Sequence, residues 1–137
     1  MCVADSSERK PGTILVVEDD DQVRVFIRTL LRQDGYEVLE AATGAQGLAL
    51  ARTQGSAIDL LICDMLLPEL SGYDLAEQVR AQYPHMALLL MTGYVEGDIV
   101  ERSIGELGAA FLDKPFQPAV LRSKVREAIG RSLSASR

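Results

Sequence analysis

Short apolar runs alternate along the chain with segments whose apolar positions recur every three or four residues. The runs are Thr13 to Val17, Tyr36 to Ala41, Ile58 to Cys63, Ala87 to Met91 and Ala110 to Leu112, and each has the length of a strand. Helical spacing is clearest at Val23, Phe26, Ile27, Leu30 and Leu31, at i, i+3, i+4, i+7 and i+8 before Asp34-Gly35, the pattern of an amphipathic helix and its stop signal. A second helix is expected after Thr43 around Leu48, and a third after Ser71 with Leu75 and Val79 facing inward; both are preceded by a hydroxyl suited to an N-cap. A fourth, from about Glu96 to Leu107 on Val100, Ile104 and Leu107, is weakened by Gly97 and Gly105. The fifth opens at Pro118, which a first turn accepts, and carries Leu121, Val125 and Ile129 up to Gly130.

Strand and helix alternate five times, which predicts a parallel sheet with helices on both faces. The first, third and fourth runs are uninterrupted, as strands buried on both sides require, whereas Glu37 and Glu40 break the second and the fifth is short. Strands 1, 3 and 4 are therefore central. With right-handed crossovers the predicted order is 2-1-3-4-5, the flavodoxin-like (βα)5 doubly wound arrangement, whose crevice lies at the carboxyl ends of strands 1 and 3.

At 137 residues the chain has room for one domain. The reading is a polar lead or linker over 1–12, a domain over 13–131 and a tail over 132–137. Fourteen basic against twenty acidic residues give a net charge of −6, which disfavours direct contact with nucleic acid. The longest stretch without Asp, Glu, Lys or Arg, Ala81 to Val95, contains Pro84, His85 and Gly93, so no membrane span is expected. The lead has no apolar h-region, from which a cytoplasmic location is expected. Cys2 and Cys63 suggest neither a disulfide framework nor a zinc site, and Cys63 reads as a small buried hydrophobe. His85, the only histidine, is expected on the solvated surface before strand 4.

The topology turns distant positions into neighbours. Glu18, Asp19 and Asp20 follow strand 1, Asp64 follows strand 3, Thr92 strand 4 and Lys114 strand 5, so acidic, hydroxyl and basic groups meet on one rim. Asp20 and Asp21 read as helix-capping and first-turn acids. Asp19 and Asp64 together would raise each other's pKa unless a cation lay between them, and an all-oxygen donor set with few protein ligands suits Mg2+.

These residues carry a resemblance. The segments Ile14 to Asp20, Asp59 to Pro68 with Gly72, Met91-Thr92-Gly93 and Phe111 to Phe116 resemble, in order and each at a strand end, the receiver domain of two-component response regulators, over about Thr13 to Gly130. The resemblance implies that Asp64 is the phosphoacceptor, taking a phosphoryl group from the histidine of a sensor kinase or histidine phosphotransfer protein. It further implies that Glu18, Asp19, Asp64 and the backbone carbonyl of Leu66 hold Mg2+, and that Thr92 and Lys114 assist the transfer. By the same resemblance the Lys114-Pro115 bond is cis, and Thr92 and Phe111 form a switch. Phe111 stands where the more familiar residue is Tyr, so an inward ring loses no hydrogen bond.

Leu66 and Tyr94 are departures: the resemblance places them beside the path of a hydrolytic water, where both are bulky and neither is an acid or amide. Leu66 also removes the second aspartate that a haloacid-dehalogenase-type phosphatase would need two residues after its nucleophile. No phosphate-binding loop or dinucleotide fingerprint is present. The expectation is thus a non-enzymatic phosphoacceptor, either a stand-alone regulator or a receiver from a hybrid kinase, with a phosphorylation-independent docking module as the alternative. Output is expected through the face of the fourth helix, fifth strand and fifth helix, toward a downstream protein or a second receiver. From Ala119 onward that end carries Arg122, Lys124, Arg126, Arg131 and Arg137 against Glu127 alone.

Overall fold

Alternate residues of a strand face opposite ways, and in this chain that alternation divides the core in two. The computed structural model describes residues 12–93 and 105–135, with side chains to residue 130. Five parallel strands, β1 (Thr13–Val17), β2 (Glu37–Ala41), β3 (Leu60–Asp64), β4 (Ala87–Thr92) and β5 (Ala110–Asp113), lie in the order 2-1-3-4-5. The helices are α1 (Asp21–Gln33), α2 (Gly44–Gln54), α3 (Gly72–Gln82) and α4 (Pro118–Ala135). On one face Ile14, Val16, Leu60, Ile62, Leu89 and Met91 pack with Ile27 and Leu31 of α1 and Leu121, Val125 and Ile129 of α4. On the other, Leu15, Val17, Leu61, Cys63, Leu88 and Leu90 pack with Ala51 of α2 and Leu75, Ala76 and Val79 of α3. Every residue of β3 is buried, while β2 and β5 are partly open. The predicted order and the predicted edges are those observed.

Capping sets where the helices begin. Asp20 accepts hydrogen bonds from the Gln22 and Val23 amides, Thr43 from Gln46 and Ser71 from Asp74, each satisfying an amide that the first turn leaves unpaired. Asp21 lies in the first turn of α1 and pairs with Arg24. No helix among the described residues is long and apolar enough to cross a membrane.

Three expectations are corrected and others fall outside the described residues. A 3-10 turn at Gly55–Ala57 takes up the chain before Ile58, whose amide bonds to the Gly55 carbonyl, so β3 starts at Leu60 and ends on Asp64 itself. The C-terminal helix does not stop at Gly130 but continues to Ala135; one glycine costs a helix only about 1 kcal/mol, and the buried Ala128 and Ile129 hold the turn around it. His85 is half-buried rather than solvated: its Nε2 lies 3.1 Å from the Ile58 carbonyl oxygen and its ring meets Tyr83 edge-on. Residues 94–104, with most of the fourth predicted helix and Tyr94, lie outside the described residues, as does Cys2; residues 105–107 form a helical turn.

Two glycines test this packing from opposite directions. A Cβ on Gly72 would run into the Asp64 carbonyl oxygen and come within 2.8 Å of the Met65 Cα, both backbone atoms. Gly72→Ala is therefore expected to cost about 1–3 kcal/mol. Gly130, inside α4 with nothing within 4 Å of its would-be Cβ, is expected to gain about 0.5–1 kcal/mol on substitution by Ala. Urea unfolding of the two variants checks both signs.

Candidate functional site

Parallel pairing carries the chain ends of β1, β3, β4 and β5 to one rim. Val17 pairs with Cys63 and Asp64 with Met91, so Glu18, one residue past β1, lies beside Asp64. Main-chain bonds extend the ladder beyond the strands: the Glu18 amide donates to the Ala41 carbonyl, Met65 to Met91 and Lys114 to Thr92. These bonds fix the backbone of each rim residue. The Lys114-Pro115 peptide is cis.

From the far edge, Lys114 reaches across to the centre. Its Nζ donates to Glu18 Oε1 and Asp64 Oδ2, both at 2.7 Å. The other Glu18 oxygen accepts from the Asp20 amide at 3.1 Å, and Asp64 Oδ1 accepts from the Leu66 amide at 2.9 Å. Glu18 is almost fully buried, and its pKa is raised: desolvation dominates, the hydrogen bonds from Lys114 and Asp20 oppose it, and the Asp64 charge adds to it. For Lys114 burial alone would lower the pKa, but its hydrogen bonds to Asp64 and Glu18 together prevail and the net shift is upward. Cys63, buried beneath the rim, is pushed far up by desolvation, with the Asp64 and Glu18 charges adding to it, as befits an inert core thiol.

One carboxylate oxygen from each of Glu18, Asp19 and Asp64 lies within 4.8 Å of the others. The set is all oxygen, with Asp19 exposed, and it fits a hard divalent cation that keeps several waters. The structure thus brings together Glu18, Asp19, Asp64 and Lys114. Thr92 ends β4, buried, and by strand alternation its side chain shares a face with Leu90 and Phe111. Phe111 is half-buried against the core on the α2 and α3 side. Leu66 is strongly exposed beside Asp64.

Two features escaped the sequence reading. Arg24 Nη1 donates to the Glu18 carbonyl at 2.8 Å, a contact whose only sequence signal is the Asp21/Arg24 spacing of one helical turn. Arg122, counted in the basic C-terminal end, is engaged within the molecule, with Nε 3.1 Å from Asp34 Oδ2 and Nη2 3.0 Å from Gln33 Oε1 at the end of α1. An apolar groove of about 410 Å3 opens beside Lys114, lined by Gln22, Val23, Phe26, Pro115 and Phe116.

Five parallel strands in the order 2-1-3-4-5, with an acidic cluster and a lysine on the carboxyl rim, place the chain among flavodoxin-like α/β domains. The chain belongs to the response regulator receiver domain family, which it matches over residues 14–126; it is a receiver domain of a two-component system. It is 32% identical over 116 residues to sensor kinase CckA of Brucella abortus, covering 85% of this chain and 12% of the kinase. It is 34% identical over 125 residues to transcriptional regulatory protein FixJ of Azorhizobium caulinodans, covering 89% of this chain and 57% of that protein. The chain thus spans only part of the length of these relatives. A CheY-like receiver domain from Methanospirillum hungatei superposes with a TM-score of 0.83 at 30% identity, covering 90% of this chain and 98% of that one.

If the three carboxylates hold a divalent cation, saturating Mg2+ raises the melting temperature; at a hundredfold excess over Kd the gain is about 2.7 kcal/mol. Asp19→Asn is expected to melt at or slightly above the metal-free parent and to lose most of the Mg2+ increment. Thermal melts with and without millimolar Mg2+ check this, and an undiminished increment contradicts it.

Proposed function

We propose that this domain takes a phosphoryl group from the histidine of a sensor kinase or histidine phosphotransfer protein onto Asp64 and thereby switches a protein-binding face. The observation that carries the reading is the Lys114 ammonium held 2.7 Å from Asp64 Oδ2 within the acidic rim. An Asp64 carboxylate oxygen attacks phosphorus; the P–O bond forms as the P–N bond breaks, and the electron pair leaves with the imidazole nitrogen, which is protonated. Such a transfer asks of the protein chiefly in-line positioning and neutralisation of charge on the phosphoryl oxygens. Lys114 supplies a positive charge and the Thr92 hydroxyl a donor. Glu18, Asp19, Asp64 and the Leu66 carbonyl would hold Mg2+, which would supply further positive charge at the site of transfer. The donor protein has to cover the rim to reach Asp64, and the apolar groove beside Lys114 lies under that approach.

Thr92 turning toward the phosphoryl group opens space on the sheet face that Phe111 shares, and the ring moves inward. The change is read at β5 and its flanking helices by a downstream protein or a second receiver. Relatives in which the homologous segment is part of a sensor kinase and of a transcriptional regulator support both a hybrid-kinase and a response-regulator setting.

Incubation of the purified chain with acetyl phosphate and Mg2+ is expected to add one phosphoryl group, base-labile and located at Asp64, and Asp64→Ala is expected to remain unlabelled. Labelling of that variant to the wild-type extent contradicts the assignment. The adduct is also expected to be long-lived, because exposed, apolar Leu66 offers no group to orient a hydrolytic water. Leu66→Asn, which supplies an amide to orient the water, is expected to speed phosphate release up to about tenfold, which corresponds to about 1.4 kcal/mol in the barrier; an unchanged rate of release in excess Mg2+ contradicts this account.

A further inference from the structure

Arg24 grips the main chain of the acidic segment and leaves the rim carboxylates to other partners. Beyond Val17 the Glu18 amide still follows the sheet, to Ala41, while its carbonyl is taken by Arg24 Nη1 at 2.8 Å. The Arg24 amide donates to the Asp20 carbonyl at 2.9 Å. One residue therefore braces the backbone on both sides of Asp19. The guanidinium is itself fixed, by Asp21 Oδ1 at 2.6 Å and by Glu40 Oε1 of β2 at 3.4 Å. Arg28 in turn holds Glu40, its Nη1 lying 3.1 and 2.8 Å from the two carboxylate oxygens. Asp21 is largely exposed and so a weak anchor, whereas the Arg24 side chain is only 15% exposed and Glu40 23%. The charge of Arg24 is thus matched by Asp21 and Glu40, and its contact with the acidic segment is to a carbonyl. It can order that segment without competing for the oxygens a cation would use.

We propose that Arg24 is a positioning residue for the metal site: by holding the Glu18 carbonyl it pre-orders Glu18 and Asp19 for the divalent cation. The inference rests on the phosphoacceptor reading above. Without Arg24 the segment between β1 and the Asp20 cap gains freedom, and the cation has to order it on binding. A lost outer contact of this kind weakens metal affinity by about tenfold or more. The geometry also fixes where the effect ends: Arg28 supports the same Glu40 but makes no bond to the acidic segment, so its loss loosens α1 from β2 without releasing Glu18.

The test is calorimetric titration of the full chain with Mg2+, comparing wild type, Arg24→Ala, Arg24→Met and Arg28→Ala; the Met variant keeps helix propensity and an apolar stem should the Ala variant not fold. Both Arg24 variants are expected to bind Mg2+ about tenfold more weakly, and Arg28→Ala to bind as wild type. In acetyl phosphate labelling the Arg24 variants are expected to need about tenfold more Mg2+ for half-maximal rate yet to reach the wild-type rate at saturation. Wild-type affinity in the folded Arg24 variants, or an equal loss in Arg28→Ala, overturns the positioning role while leaving the phosphoacceptor reading intact. Failure of the wild-type chain itself to bind Mg2+ or to be labelled overturns that reading and this inference with it.

Discussion

The ammonium of Lys114 between Glu18 and Asp64 is the contact on which the rim depends. Parallel strands deliver their carboxyl ends to one side, and here that places two buried carboxylates, Glu18 and Asp64, at the ends of the interior strands β1 and β3 within 4.8 Å of each other. Burial raises the Glu18 pKa and the Asp64 charge raises it further. Lys114 opposes both from the edge strand β5, spanning β4 to do so. Coulomb repulsion alone therefore does not demand a second cation. What favours one is Asp19, which adds an exposed carboxylate to the cluster and takes no part in the lysine bridge.

The sheet makes this arrangement rigid. Two separate cores clamp its faces, α1 and α4 on one side and α2 and α3 on the other, and rim residues continue the interstrand ladder through their own amides. Gly72 presses directly on the Asp64 and Met65 backbone, so the start of α3 is part of the support of the rim. A site built at strand ends and backed in this way has its groups held by the sheet itself.

Most of this was legible in the sequence because it follows from local pattern. Uninterrupted apolar runs marked the central strands, Glu37 and Glu40 marked an edge, and Asp20, Thr43 and Ser71 announced their helices. Topology then converted four strand ends into a site. The rest depended on contacts between distant residues. The lysine bridge joins positions 96 and 50 residues apart, and periodicity carries no sign of it. His85 looked solvated because the Ile58 carbonyl that engages it belongs to another strand connection. Gly130 looked like a helix end because propensity is local, whereas burial of Ala128 and Ile129 is tertiary. Arg24 drew no attention since its partner is a main-chain carbonyl, which no side-chain motif reveals.

The central claim, that Asp64 and Lys114 together form the phosphoryl site, is tested most directly by a structure of the chain with Mg2+ and beryllofluoride, a mimic of the phosphoryl group. The account predicts beryllium bonded to an Asp64 carboxylate oxygen, with the Lys114 ammonium and the Thr92 hydroxyl donating to its fluorines and the metal among Glu18, Asp19 and Asp64. Beryllofluoride absent from Asp64 under saturating conditions, or bound there with Lys114 still held on Glu18 and turned away from the fluorines, would contradict it.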